Sequence, residues 1–256
     1  MDVFEGLDPA VRARTKTMLM AFIVFAVVML FAGFTSAWIV SNMGSYWVHV
    51  RAPQGLVTST ALILLSSLTL WWATREMRSG RPARSIAGLV ATLALGIGFT
   101  LTQTSGWRAL SANGMGWTVT TTESGLEAYR WNAIDRMLEG PGVYGEDYEV
   151  RWGGRPLVYD STTGDFYAPD DSLKARPITR EVLKTSNTGG AYIWALILVH
   201  IVHLVLGFIY LSINLIRAIR GTIHPGDTVR LKALGVYWHA LGALWVYLFV
   251  FLFLAH

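Results

Sequence analysis

The sequence predicts an all-α integral membrane bundle of five transmembrane helices, with a soluble, partly β insertion between the third and fourth helices. Three observations predict this fold class. Hydrophobic residues make up 53% of the chain and charged residues only 15%, whereas about a quarter of a soluble domain is charged. Five apolar runs, uncharged apart from Arg217 at the end of the fourth, each reach the length of about 18 residues expected of a membrane-spanning helix. The one long polar stretch lies between the third and fourth runs.

The runs and the polar stretch divide the chain into four parts. The runs are Thr17 to Val40, Val57 to Thr74, Ser85 to Gly106, Gly189 to Arg217 and Ala233 to Ala255. We expect a cytoplasmic N-terminal segment at residues 1–16, transmembrane helices 1–3 within 17–106, an outer insertion at 107–188 and helices 4 and 5 within 189–256. The first run is longer than a signal-peptide core and no small-residue cleavage site follows it, so we interpret it as a retained helix.

The positions of basic residues predict how the helices are oriented. Basic residues collect before the first run, between the second and third runs, and between the fourth and fifth, whereas the first connection holds only Arg51. By the positive-inside rule, the N-terminus is cytoplasmic, and the 107–188 insertion and the C-terminus lie on the outer side of the membrane. Basic residues placed in this way match anionic lipid headgroups and give no reason to expect a nucleic acid partner.

The insertion at residues 107–188 predicts small antiparallel hairpins. Tyr148–Trp152 alternates in the manner of a strand, a Gly153-Gly154 turn follows, and Arg155–Tyr159 and Asp165–Tyr167 continue the pattern. Twelve acidic residues against nine basic ones make the insertion mildly acidic. Three explanations stay open: solubility, contact with a neighbouring subunit, and docking of a basic soluble partner.

The first outer connection is rich in aromatic residues. Tyr46, Trp47 and His49 lie between the first and second runs. Tyrosine and tryptophan are enriched where a membrane meets water, and a metal site would need more ligands than one histidine. We therefore interpret these residues as interfacial aromatics.

A stripe of polar and small residues follows one face of the fourth run. His200, His203, Gly207, Tyr210 and Asn214 are spaced by three or four residues, which places them on one side of a helix. In hydrocarbon a histidine or asparagine needs a hydrogen-bonding partner, and a glycine lets a second helix approach closely. We expect this face to pack against protein.

The three histidines of the spans limit the chemistry that the chain can perform. His200, His203 and His239 lie in the spans, which contain no Asp, Glu, Lys or Arg away from their ends. Proton-coupled transporters generally need such ionisable groups. Haem ligation needs histidines on two helices, and at most one pair between helices is available. Histidines that form buried hydrogen bonds or contact lipid headgroups are therefore the favoured interpretation. Without cysteine, the chain has no disulfide and no thiolate-bound metal.

Two motifs in the last two runs resemble those of a known family. His200-Ile201-Val202-His203 followed by Gly207 resembles the His-x-x-His-x-x-x-Gly motif of subunit III of haem-copper cytochrome c oxidases. Tyr237-Trp238-His239 followed by Trp245 resembles the signature of that family's last helix. Other segments occur at like positions in the same order: Phe31-Ala32-Gly33-Phe34, Ser66 to Trp72, Gln103 and Arg217. The similarity covers all five runs and leaves out the insertion.

The resemblance implies a five-helix form of subunit III, without the two N-terminal helices of the seven-helix forms. A chain of that family binds no haem or copper itself, so haem and copper are expected in partner subunits, above all the catalytic subunit I. Its implied role is to stabilise that subunit, bind phospholipids and support proton uptake in aerobic respiration. No catalytic or metal-ligating residue is expected. The residues expected to form the lipid-binding or packing core are His200, His203, Gly207, Arg217, Tyr237, Trp238, His239, Trp245 and Gln103.

The chain departs from the family pattern at three positions. Val27 stands where the first matching helix often carries a membrane glutamate, and Gly106 and Gly242 stand where acidic residues often follow matching segments. These differences weigh against a direct proton-carrying role and favour a structural one. The acidic insertion at residues 107–188 is also unusual for the family, and we interpret it as a candidate contact for another respiratory complex or an electron donor. The alternative within the family is a subunit III-like chain of a quinol oxidase or nitric oxide reductase. An independent membrane b-type cytochrome or transporter is the less favoured alternative from another class.

Overall fold

A computed structural model describes residues 9–112, 115, 117–121, 127–131, 134–185, 188–226 and 228–254. This part of the chain is mostly helical and includes a small sheet region. Five of its helices are long and apolar enough to cross a membrane, as the sequence predicts. The helices in chain order are α1 (Pro9–Asn42), α2 (Gln54–Arg78), α3 (Pro82–Ala112), α4 (Ile134–Glu139), α5 (Thr179–Lys184), α6 (Thr188–Ile219) and α7 (Val229–Phe253).

Glycine ends two of the long helices. After α2, Gly80 adopts a φ of 74°, its amide donates to Met77 O at 3.1 Å, and the Arg81 amide donates to Glu76 O at 3.0 Å. This pair of bonds satisfies carbonyls that the end of a helix leaves open, and it needs the left-handed conformation that glycine adopts without strain. Pro82 then begins α3, where its fixed φ suits the first helical position. Gly221 ends α6 in the same way, with a φ of 70°.

The strands confirm the predicted hairpins. They are β1 (Tyr46–Val50), β2 (Trp117–Thr121), β3 (Glu127–Trp131), β4 (Tyr148–Trp152), β5 (Arg155–Pro156), β6 (Val158–Asp160) and β7 (Asp165–Tyr167). Among the described residues, three antiparallel sheets have the orders β1-β4-β5, β2-β3 and β6-β7. The Gly153-Gly154 turn joins β4 to β5 as expected, with both glycines at positive φ.

The first outer connection, interpreted from the sequence as interfacial aromatics, is part of a sheet. Residues 46–50 form β1, which pairs with β4 about a hundred positions later in the chain. Trp47 is only 5% exposed and packs edge-on against Trp38, with ring centroids 5.0 Å apart. The backbone of Gly189 passes so close that a Cβ there would lie 2.9 Å from the indole. Trp47 is therefore a core residue, and strand pairing overrides the local composition of the connection.

The chain divides into two compact units. The first, here called the helical unit, consists of Met1–Ala32, Val57–Thr102 and Val199–Leu248. The second, here called the mixed unit, consists of Gly33–Leu56, Gln103–Leu198 and Phe249–His256. The core of the helical unit includes Leu70, Leu89, Phe99, Leu211, Leu234 and Trp238, each at most 1% exposed. The core of the mixed unit includes Ile134, Met137, Val150, Phe166 and Val182, each 0% exposed.

The long helices differ in how much of their apolar surface is covered. In the apolar stretch of α7, 61% of the residues are buried, compared with 11% in α1. The uncovered surface of α1 is made of large hydrophobic side chains, among them Phe22, Phe25 and Leu30. Such a surface is unfavourable in water, because exposed apolar area of this size raises the free energy of the chain.

Candidate functional site

His200 lies in an aromatic pocket at the centre of the helical unit. Its imidazole is 3% exposed, and its ring centroid is 6.4 Å from that of Phe99 on α3 and 5.5 Å from that of Trp245 on α7. Phe99 and Trp245 also contact each other edge-on at 5.8 Å. Neither ring nitrogen of His200 has a hydrogen-bonding partner within the part of the chain that the structure describes. The three rings pack α3, α6 and α7 together, while an unbonded buried imidazole lowers the gain from that packing.

His203 lies one turn further along α6 and connects that helix to α1 and α7. Its Nδ1 is 2.7 Å from the Val199 carbonyl oxygen of the same helix, and its ring is tilted against Phe31 of α1 with centroids 6.0 Å apart. The Tyr237 hydroxyl on α7 donates to the His203 carbonyl oxygen at 2.9 Å. The first histidine of the motif therefore packs among rings, whereas the second lies where a hydrogen bond joins two helices.

Two tryptophans of α7 donate hydrogen bonds to hydroxyls of α2. Trp238 Nε1 donates to Ser66 Oγ at 3.0 Å, and Trp245 Nε1 donates to Thr60 Oγ1 at 3.0 Å. Ser66 Oγ donates in turn to the Ile63 carbonyl oxygen at 2.8 Å, which fixes the direction of the hydroxyl. Seven residues separate the two tryptophans and six separate the two hydroxyl residues, so each set spans about two turns of its helix. We call these the indole–hydroxyl pairs.

Small residues allow the helices around this cluster to approach closely. A Cβ at Gly96 of α3 would lie 2.9 Å from Phe208 and 3.3 Å from Trp238. A Cβ at Gly207 of α6 would lie 3.1 Å from Leu241 and 3.4 Å from Tyr237. Gly207, which the motif singles out, therefore occupies a position where a side chain would push α6 away from α7.

The structure brings six of the nine predicted site residues into this cluster. They are His200, His203, Gly207, Tyr237, Trp238 and Trp245. His239 is only partly buried, and Arg217 lies in the last turn of α6, where its carbonyl oxygen accepts from the Thr222 hydroxyl at 2.9 Å. Gln103 is buried, at 1% exposure, and belongs to the mixed unit.

Thr60 and Phe99 are site residues that the sequence reasoning missed, and the partner of Trp238 was not identified. The sequence singles out Ser66 only as the first residue of a segment that resembles the family pattern, and it gives Phe99 no role. A signal for the indole–hydroxyl pairs was present in the matching two-turn spacings of 238 and 245 and of 60 and 66. The pairs form only if the side chains point toward each other, and that direction cannot be predicted from the spacing.

Within the described ranges, no group of three or more histidine, aspartate or glutamate side chains is arranged to hold a metal ion. The cluster instead contains one partnerless imidazole, donors already bonded across helices, and aromatic rings. These contacts pack α2, α3, α6 and α7 against one another.

Several acidic side chains of the mixed unit are used in internal contacts. Asp160 accepts from the Lys174 ammonium and from the Thr162 amide, and these hydrogen bonds lower the pKa of its carboxyl. The Arg176 and Ala175 amides donate to Asp171 and lower its pKa. Glu149 forms an ion pair with Arg151, in which 2.5 Å separates Glu149 Oε1 from Arg151 Nη2. These contacts explain part of the acidic composition without an external basic partner.

Comparison with models of protein families gives no match, and comparison with curated proteins gives none either. A functional assignment of this chain therefore depends on its motifs and on the contacts described above. Those contacts join α1, α2, α3, α6 and α7 within the helical unit.

Proposed function

We propose that the chain is the non-catalytic subunit III of a haem-copper terminal oxidase of the cytochrome c oxidase type. In this role its five long helices cross a bacterial plasma membrane, with the N-terminus in the cytoplasm and the 107–188 insertion outside. The observation that carries the proposal is the contact between its two separate motifs. His203 and Gly207 of the first motif touch Tyr237 of the second, and Trp238 of the second motif bonds to Ser66 in a third matching segment.

The cluster suits a supporting subunit. Apolar helices gain little by leaving lipid for one another, so hydrogen bonds and close packing must hold them together. The indole–hydroxyl pairs, the Tyr237 bond and the aromatic pocket supply these interactions. A bundle stabilised in this way presents a stiff surface to the catalytic subunit, in which haem and copper perform the redox chemistry.

Phospholipids are the ligands that this proposal places on the chain itself. An apolar groove of about 450 Å³ runs along α1 and α7, lined by Val28, Phe31, Ala32, Ala240, Ala243, Leu244 and Tyr247. A second groove of about 220 Å³ combines apolar side chains such as Leu19 and Ile23 with Lys16 and Arg230. Acyl chains fit the first groove, and the second pairs apolar surface with cations that attract a lipid phosphate.

Purification of the native assembly tests the assignment. A tagged chain, extracted from the membrane in mild detergent, is expected to carry a haem-copper catalytic subunit with it. The isolated chain is expected to show no Soret band. A chain that purifies without any haem-copper subunit under conditions that keep other respiratory complexes intact contradicts the proposal. Quinol or nitric oxide turnover by the purified complex would identify the alternative members of the family.

A variant of the cluster separates assembly from electron transfer. His203→Ala removes the ring that packs on Phe31 of α1, and it is expected to lower the fraction of catalytic subunit that co-purifies. Turnover per haem in the complex that remains should be unchanged. Val202→Ala is the matched control, since Val202 is 54% exposed on the same helix. Normal subunit stoichiometry with reduced turnover would contradict a supporting role.

One observation favours a second candidate, a b-type cytochrome. Neither ring nitrogen of His200 has a hydrogen-bonding partner among the described residues. A histidine that binds haem iron would need one such nitrogen to be free. Phe99 and Trp245, however, pack against its ring. A Soret band in the isolated chain that His200→Ala abolishes would establish this candidate instead.

A further inference from the structure

A stripe of large apolar side chains follows the second half of α2. The exposed residues between positions 64 and 72 are Leu64, Leu65, Leu68, Trp71 and Trp72, each between 40% and 62% exposed. They recur at intervals of three or four residues, which places them on one side of the helix. Contacts between membrane helices are rich in small residues, and bulky leucine and tryptophan side chains keep a second helix at a distance. The stripe therefore suits acyl chains better than a partner helix.

Arginines stand where this stripe ends. Arg75 continues the stripe one turn beyond Trp71, and its guanidinium carbon lies 5.6 Å from the centre of the Trp71 ring. Arg78 follows in the last turn of α2. Both arginines are exposed, and neither forms an ion pair within the described part of the chain. Tryptophan beside arginine at the end of an apolar helix is typical of the level where hydrocarbon meets headgroups.

The turn after α2 adds two arginines around one buried carboxylate. Glu76 Oε2 lies 3.3 Å from Arg81 Nη1 and 3.9 Å from Arg84 Nη1. It accepts no hydrogen bond from the described residues, so the guanidinium donors stay available for another acceptor. Four arginines against one glutamate between positions 75 and 84 leave a net charge of +3. The end of the stripe therefore attracts an anion, and Glu76 holds two of the cations in place.

We propose that this end of α2 binds one anionic phospholipid, with its phosphate between Arg75 and Arg78 and an acyl chain along Trp72, Leu68 and Leu64. From Arg75 to Leu64 the helix rises about 17 Å, close to half of the hydrocarbon thickness of about 30 Å. The stripe thus matches one leaflet. A free phosphate would bind the arginines but leave the stripe uncovered. The inference rests on the membrane embedding of the proposed function and does not depend on the oxidase assignment.

Fluorescence quenching by brominated lipids tests the inference at the stripe itself, since the native chain has no cysteine. The full-length chain with Leu68→Cys carries a thiol-linked fluorophore, and Val205→Cys, at a 50% exposed position of α6, is the matched control. Each is placed in vesicles of phosphatidylcholine and phosphatidylglycerol in which only one lipid has brominated acyl chains. Bromine quenches on contact, so the ratio of the two quenching efficiencies measures the local preference for the anionic lipid.

Brominated phosphatidylglycerol should quench the label at 68 several-fold more than brominated phosphatidylcholine, and the two should quench the label at 205 equally. An arginine near a membrane surface strengthens the attraction for an anionic lipid by about five-fold. Arg75→Gln combined with Arg78→Gln should therefore remove most of the preference at 68. Arg75→Lys keeps the charge and should retain the preference. Arg220→Gln, at an exposed arginine after α6, should leave it unchanged.

Equal quenching by the two lipids at 68 overturns the inference. A preference that Arg220→Gln lowers as much as the double variant overturns it too, because binding then follows net charge alone. Inorganic phosphate, added at constant ionic strength, should have no effect, and loss of the preference would mean that the site takes a soluble anion. A label that neither lipid reaches at 68, beside normal quenching at 205, shows that protein covers the stripe. No quenching at either position would instead remove the membrane embedding itself.

Discussion

The helical unit and the mixed unit both have aromatic cores, but they use the polar atoms of those cores differently. In the helical unit, Trp238 and Trp245 donate to side chains of another helix. In the mixed unit, Tyr144 packs against Tyr148 at 5.7 Å and Phe166 at 5.6 Å, and its hydroxyl donates to the backbone oxygen of Leu157 at 2.9 Å. The helical unit also contains a bond to the backbone, from the Tyr237 hydroxyl to the His203 carbonyl oxygen, so the contrast concerns the tryptophans, whose acceptors are side-chain hydroxyls.

We attribute the difference to the surroundings that the proposed membrane embedding would give the two units. The backbone hydrogen bonds of a helix are made within the helix itself. An apolar helix therefore gains over lipid mainly by close packing of small residues and by hydrogen bonds between side chains. Strands in water leave backbone groups to be paired, and burial of apolar area supplies the driving force there. We therefore expect the mixed unit to respond most to lost volume, and the helical unit to added volume and lost hydrogen bonds.

The largest effect is expected from a cavity in the mixed unit. Phe166 is 0% exposed, and its ring lies 4.9 Å from that of Tyr159. Phe166→Ala should lower the free energy of unfolding of this unit by about 3–5 kcal/mol. Urea titration followed by brief proteolysis measures the change. Leu173→Ala, at a side chain that is 87% exposed, should change it by less than about 0.5 kcal/mol. Equal losses in the two variants would show that Phe166 is not a core residue.

The next effect is expected from overpacking the helical unit. A Cβ at Gly88 of α3 would lie 2.7 Å from the Ala73 Cβ and 3.1 Å from its Cα on α2. Gly88→Ala must therefore move a backbone, at a cost of about 1–3 kcal/mol. Thermal loss of helical circular dichroism in detergent reports the change. Gly98→Ala on the same helix meets only Leu62 at 3.5 Å and should be tolerated. A Gly88→Ala variant as stable as Gly98→Ala would refute the close approach.

A smaller effect is expected from the loss of one indole–hydroxyl pair. Trp238→Phe keeps most of the ring but removes the donor to Ser66, and hydrogen bonds between membrane helices contribute about 0.6–1.7 kcal/mol. Combining it with Ser66→Ala in a double-mutant cycle isolates the interaction, which should account for most of the loss. Trp72→Phe serves as the control, because Trp72 is 40% exposed. Additive losses in the cycle would mean that the bond contributes nothing.

The smallest effect at neutral pH concerns Tyr144, whose pKa is raised by burial from 10.0 to about 12. In the unfolded chain the phenol loses its proton at lower pH than in the folded chain. The stabilisation is therefore present below pH 10 and is lost as the pH rises through 12. The free energy of unfolding of the mixed unit should therefore fall between pH 10 and pH 12. Tyrosinate absorbance follows this change, and the circular dichroism of the helices should persist through it. Tyr144→Phe should flatten this pH dependence, and an unchanged slope would contradict the assignment.

The local patterns of the sequence determined the five long helices and the hairpin at Gly153-Gly154. An apolar run long enough to span a bilayer, or an alternating segment beside a glycine turn, depends only on neighbouring residues. The sequence also identified the helix face that carries His200, His203 and Gly207, because helical spacing places these residues on one side. It did not distinguish the environments of the two histidines, one among rings and one beside an inter-helix bond.

Only the tertiary structure decided the contacts between distant parts of the chain. Tyr46–Val50 reads as an aromatic connection until Tyr148–Trp152 pairs with it. Ser66 Oγ donates within its own helix, and only the folded chain brings Trp238, 172 residues later, to donate to that oxygen. The physical reason is that strand register and side-chain direction are set by the partner surface, and that surface forms only when segments far apart in the sequence have come together.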